Sequence, residues 1–142
     1  MTGHHITIEE PFGFEGGGYI PSLEITYHTS PREYRKGDKV VWICHALTAN
    51  SNPQEWWPGI VGPGLLIDTD KYFVICANML GSPYGTSGPS TVNPDTGKPY
   101  MFSFPKITSR DIARMLSILR RHLGIDRIDV LIGSSVGGFY AV

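Results

Sequence analysis

Cysteine is scarce in this chain: Cys44 and Cys76 are the only two among 142 residues. Each ends an apolar run, where a buried thiol behaves as a small hydrophobe. A disulfide framework or a metal site needs more ligands at tighter spacing, so neither is expected. Charge of one sign is missing too, since 12 Lys and Arg stand against 13 Asp and Glu. The resulting net charge of −1 leaves no electrostatic footprint for nucleic acid or an anionic membrane. No apolar run nears the ~18 residues of a membrane span, and no basic-then-apolar leader opens the chain. The expectation is a soluble, cytoplasmic protein that binds neither nucleic acid nor membrane.

What remains is ordinary globular material, 41% hydrophobic and 18% charged. A chain of this length suggests one domain that buries about two-thirds of its unfolded surface. Glycine is plentiful, and its most informative use is near the end. There the apolar run Val130-Leu131-Ile132 leads into Gly133-Ser134-Ser135-Val136-Gly137-Gly138. Gly-x-Ser-x-Gly after a strand is the pattern of a nucleophile elbow, a sharp strand-to-helix turn that lifts a serine hydroxyl clear of the backbone. Gly133 and Gly137 would let neighbouring backbones pass closely. The N–H of Val136 would point to where an oxyanion forms. With 17 glycines and 11 serines, the motif matches by chance about 0.15 times per chain, so its context decides.

That context is an α/β pattern. Ile6-Thr7-Ile8 alternates like a short strand, and Leu23 to Thr29 alternates apolar and polar as a half-exposed one. Val40 to Cys44, Tyr72 to Ala77 and Val130 to Ile132 are unbroken apolar runs, as expected of strands covered on both faces. Between the last two lies the clearest helix. Thr108 is its N-cap with Asp111 in capping-box position, and Ile112, Met115, Leu116, Leu119 and Leu123 share one face. Arg120, Arg121 and His122 suit its last turn, and Gly124 stops it. A weaker helix is expected within Trp56–Ile67, interrupted by Pro58 and Pro63. Continuous strands alternating with helices imply a mostly parallel sheet, whose ligands bind beyond the strands' carboxyl ends. His45 and Ser135 both fall there. The Gly-, Pro-, Ser- and Thr-rich stretch from Asn78 to Pro105 reads equally as a mobile linker or as a rigid lining for that site.

Cys44-His45-Ala46-Leu47-Thr48, Trp56-Trp57, Gly62-Pro63-Gly64 and Ile67-Asp68-Thr69-Asp70-Lys71-Tyr72-Phe73 add further blocks. They continue in Gly85-Thr86-Ser87-Gly88-Pro89-Ser90 and Asn93-Pro94-Asp95-Thr96-Gly97-Lys98-Pro99-Tyr100. In this order, and with the elbow, the chain resembles the homoserine O-acetyltransferase family of α/β-hydrolase-fold enzymes over nearly its whole length. It departs from the family at Ala49 and Ser134, where glycine is usual. The resemblance implies a ping-pong acyl transfer in methionine biosynthesis. Ser135 would take acetyl from acetyl-CoA, a cosubstrate and not a bound cofactor, and pass it to the hydroxyl of L-homoserine. It assigns the oxyanion hole to the backbone N–H groups of Leu47 and Val136, requires no metal, and implies a homodimeric parent.

The fold's chain order is nucleophile, acid, histidine, and nothing after Ser135 is acidic or a histidine. His45 is therefore expected to hold the loop of Leu47 by hydrogen bonds and not to act as the base. His4, His5, His28 and His122 read as surface or tail residues. The sequence ends a few residues into the helix after the elbow. Residues 1–142 are thus expected to form the N-terminal part of an α/β-hydrolase core, inactive alone, with the rest of the core and the lid absent. Transfer of a succinyl group, serine as acceptor, hydrolysis by an esterase and a non-catalytic binding module are the alternatives.

Overall fold

The computed structural model describes residues 1–141. Its centre is a five-stranded sheet built from β1 (Thr2–Ile8), β2 (Leu23–Thr29), β3 (Val40–Cys44), β4 (Phe73–Ala77) and β5 (Val130–Gly133). The spatial order is β1-β2-β4-β3-β5. β3 runs parallel to both β4 and β5, with Val40 opposite Phe73 and Gly133 opposite Cys44. β2 runs antiparallel to β4, and β1 antiparallel to β2. The three parallel strands therefore end at one edge, and His45, Asn78 and Ser134 are the first residues past them.

Side chains alternate across a strand, and here the alternation sorts them into two cores. Val40, Trp42, Cys44, Phe73, Ile75 and Ala77 face one side, where α2 (Ser109–His122) packs through Met115 and Leu119. Val41, Ile43, Val74 and Cys76 face the other, with Val61 and Ile67 against them. The two cysteines thus lie on opposite faces of the sheet.

α2 begins as its sequence requires. The Thr108 hydroxyl accepts from the Asp111 N–H at 3.2 Å, and the Asp111 carboxylate accepts from the Thr108 N–H at 3.0 Å. Ile112, Met115 and Leu119 are buried. Gly124 stops the helix at φ +66°.

Other expectations need correction. The helix placed within Trp56–Ile67 is instead the single turn α1 (Pro53–Trp56). Pro53 starts it and Trp57 caps it, because Pro58 and the left-handed Gly59 (φ +78°) cannot continue it. Val61–Gly62 and Ile67–Asp68 pair as a short parallel ladder. β1 starts at Thr2, not Ile6, since pairing with β2 carries Gly3, His4 and His5 into the strand. Among the described residues β5 is the edge strand and is not covered on both faces, with Val130 and Leu131 46% and 45% exposed. No helix among the described residues is long and apolar enough to cross a membrane.

Candidate active site

At the end of β5 the chain turns abruptly. Ser135 takes φ +53°, a left-handed conformation that costs a non-glycine residue about 1–2 kcal/mol. The flanking glycines make the turn possible. A Cβ on Gly133 would lie 2.5 Å from the Gly138 Cα, and one on Gly137 would lie 2.2 Å from the Cys44 carbonyl oxygen. Backbone occupies both spaces, so no side chain fits. α3 (Val136–Ala141) follows at once, and Ser135 itself is exposed.

The Ser134 N–H donates to the Cys44 carbonyl at 3.1 Å, extending the β5–β3 pairing by one residue. This brings α3 against the start of the loop after β3. In that loop the Ala49 N–H closes a turn on the Ala46 carbonyl at 3.0 Å. The His45 imidazole reaches the same carbonyl, its Nδ1 2.7 Å away. A peptide is planar and trans, so holding the Ala46 oxygen fixes the Leu47 N–H in the opposite direction. Among the described residues, neither the Leu47 N–H nor the Val136 N–H donates a hydrogen bond. The Leu47 side chain is 67% exposed, so the residue contributes to the loop through its backbone.

His45 is fully occupied. Its Nε2 accepts the Met79 N–H at 3.0 Å, which leaves Nδ1 as the N–H donor to Ala46. Burial disfavours the charged ring and lowers its pKa, against the Ala46 carbonyl, which favours the charged form. Both ring nitrogens are spent on backbone, so this histidine holds the loop. Burial likewise pushes the Cys44 thiol up to about 12, which makes it a poor nucleophile beside the site.

The stretch after β4 is a packed lining and not a loose linker. Asn78 is buried; its side-chain oxygen accepts the Ser51 N–H at 2.7 Å and its amide donates to the Tyr84 carbonyl at 2.7 Å. Thr86 and Ser87 lie along β2 and use hydroxyls where a strand would use carbonyls. Their oxygens accept the N–H groups of Thr26 and Glu24 at 3.1 and 2.9 Å. Gly85 must be glycine, because its Cβ would meet the Thr26 hydroxyl at 2.5 Å.

Among the described residues, none of the remaining histidines hydrogen-bonds to Ser135, His45 or Leu47. His4 stacks on Tyr27 with ring centroids 5.0 Å apart, His5 bonds the Thr26 hydroxyl, and His122 ends α2. His28 is not a surface residue. It is half-buried on β2 with Nδ1 2.9 Å from the Ser51 hydroxyl. Two residues of the assembly escaped the sequence reading, Asn78 and Tyr140. A buried asparagine ending a strand was the available signal for the first; nothing in the sequence marked the second.

A family model described as alpha/beta hydrolase fold matches residues 39–142. A homoserine O-acetyltransferase of Cyclobacterium marinum is 44% identical over 97% of this chain and 39% of its own length. The chain therefore spans about two-fifths of that relative. Among solved structures, homoserine O-acetyltransferase from Bacillus anthracis superposes with a TM-score of 0.84 at 34% identity, covering 98% of this chain and 41% of that one. Esterase E22 superposes with a TM-score of 0.82 at 29% identity, over 98% and 42%.

Proposed function

Because the chain belongs to the alpha/beta hydrolase fold family, we propose that Ser135 is the nucleophile of an acyltransferase. The protein that carries this sequence moves an acetyl group from acetyl-CoA to the hydroxyl of L-homoserine. The observation that carries the reading is the left-handed Ser135 between two glycines that cannot bear side chains. A strain of this kind persists where function needs it. The similarity to homoserine O-acetyltransferases supplies the acyl donor and acceptor.

In this scheme the Ser135 hydroxyl gives its proton to a base and attacks the thioester carbonyl. The oxyanion of the tetrahedral intermediate accepts from the Leu47 and Val136 N–H groups. Collapse breaks the C–S bond, and the CoA thiol leaves with the proton. The homoserine hydroxyl then attacks acetyl-Ser135, returns a proton through the same base and carries off the acetyl ester. His45 does not serve as that base, since both its ring nitrogens are bonded to backbone. The base and its carboxylate follow residue 142, in the order the fold uses. Residues 1–142 are then the N-terminal part of the catalytic core, inactive alone. The whole enzyme works as a cytoplasmic homodimer with no metal and no resident cofactor.

Hydrolysis is the second reading, favoured by the likeness to esterase E22; water would replace the amino-acid hydroxyl. Steady-state CoA release by the full-length protein separates the two. Release that needs homoserine and vanishes in Ser135→Ala supports the transferase. Succinyl-CoA and serine, tested in parallel, fix donor and acceptor. Release that is independent of any acceptor establishes the hydrolase instead.

A further inference from the structure

The loop after β3 and helix α3 share one buried hydrogen bond that acyl transfer does not itself use. The Tyr140 hydroxyl donates to the His45 carbonyl over 3.0 Å. Both residues are buried, at 7% and 0% exposure. Tyr140 is the only partner of that carbonyl among the described residues.

The geometry points to Tyr140 as a positioning residue for the oxyanion site, its hydroxyl fixing the loop of Leu47 against the helix of Val136. This rests on the reading of those two N–H groups given above. Two donors on different elements stabilise one oxygen only if their separation is held constant. Three contacts tie these elements together, and they are not equivalent. The Ser134 N–H and the backbone of Gly137 meet the Cys44 carbonyl, the last residue of β3, and Gly137 also packs beside the His45 carbonyl without a hydrogen bond to it. Strand pairing would place that carbonyl without help. Tyr140 reaches one peptide further, to the first residue that has left the sheet. The next peptide is the one that carries the Leu47 N–H. The imidazole of His45 holds that peptide from the other side, through Ala46, and is itself anchored to Met79 at the end of β4. Tyr140 thus supplies the hydrogen bond from α3 to the first peptide of this loop, whose later residues are held at β4 through Asn78, at β2 through His28 and at α1 through Trp56.

A phenyl ring alone would fill the same space. The hydroxyl matters because a buried carbonyl without a donor is costly, and the loop would shift to find water.

The test uses the full-length protein with Tyr140→Phe, and with 4-aminophenylalanine at position 140 to restore a donor. In Tyr140→Phe, kcat for acyl transfer should fall about tenfold while KM for acetyl-CoA stays within about twofold. Amide hydrogen exchange across residues 46–49 should quicken about tenfold, and the amino variant should recover both. An unchanged kcat in an active parent overturns the proposal. So does unchanged exchange, or a failure of the amino variant to rescue either, since packing alone would then account for the residue. If the parent shows no transfer at all, the acyltransferase reading fails. The exchange measurement then still decides whether the Tyr140 bond holds the loop.

Discussion

Gly137 lies against Cys44 so closely that a Cβ on it would stand 2.2 Å from the Cys44 carbonyl oxygen. That carbonyl already accepts the Ser134 N–H, so it cannot move aside without breaking the β3–β5 register. Gly137→Ala should therefore cost about 2–3 kcal/mol, as overpacking against backbone does. Gly138→Ala makes the opposite case, since its nearest neighbour would be 3.8 Å away and it sits within a helix. It should be neutral or stabilise by up to about 1 kcal/mol. Urea midpoints for the pair check the contrast; two equal losses would contradict it.

The left-handed φ of Ser135 predicts a trade between stability and activity. Ser135→Gly relieves the strain and should raise stability by about 1 kcal/mol while abolishing acyl transfer. Ser135→Ala abolishes transfer as well, but keeps a Cβ and gains no stability. Thermal melting of the two variants side by side reads the difference. A glycine variant no more stable than the alanine variant would show the elbow to be unstrained.

Asn78 predicts how the long segment after β4 keeps its shape. Asn78→Ala leaves the Ser51 N–H and the Tyr84 carbonyl without their partner. The loss should be about 2–3 kcal/mol. Limited proteolysis should then find new cleavage between residues 79 and 100. Unaltered proteolysis would mean that Thr86 and Ser87 on β2 suffice.

How much of this was legible in the sequence depended on how local the cause was. The capping box of α2 is a four-residue pattern, and Thr108 and Asp111 form it as written. The apolar runs of β3 and β4 predicted burial on both faces, and every residue of both is buried. β5 carries the same kind of run, and Val130 and Leu131 are exposed because, among the described residues, no strand pairs with its outer edge. The order in Asn78–Pro105 escaped because it comes from hydroxyls of Thr86 and Ser87 bonding strand residues about 60 positions earlier. The elbow was legible because its glycines are a steric necessity. Tyr140 was not, since a hydrogen bond spanning 95 residues leaves no local trace.

Asp111 sets a pH dependence. Burial alone would raise its pKa, but the N–H groups of Thr108 and Glu15, the Thr108 hydroxyl and Arg114 together hold it below the ordinary value of 3.8. A depressed folded-state pKa contributes stability that is complete above the unfolded value and is lost as pH falls through the folded one. The stability gap between the parent and Asp111→Asn should therefore be full above about pH 5 and shrink below about pH 4. Denaturant titrations across that range check it. A gap that stays constant down to pH 2 would mean that Asp111 contributes only by its cap geometry.

The most direct measurement is of the covalent intermediate. The full-length protein is mixed with acetyl-CoA in the absence of acceptor, quenched in acid, digested and read by peptide mass spectrometry. The account predicts one acetyl group on Ser135, absent in Ser135→Ala and discharged by homoserine. Acetylation at any other residue, or CoA release from Ser135→Ala at the parent's rate, would contradict it.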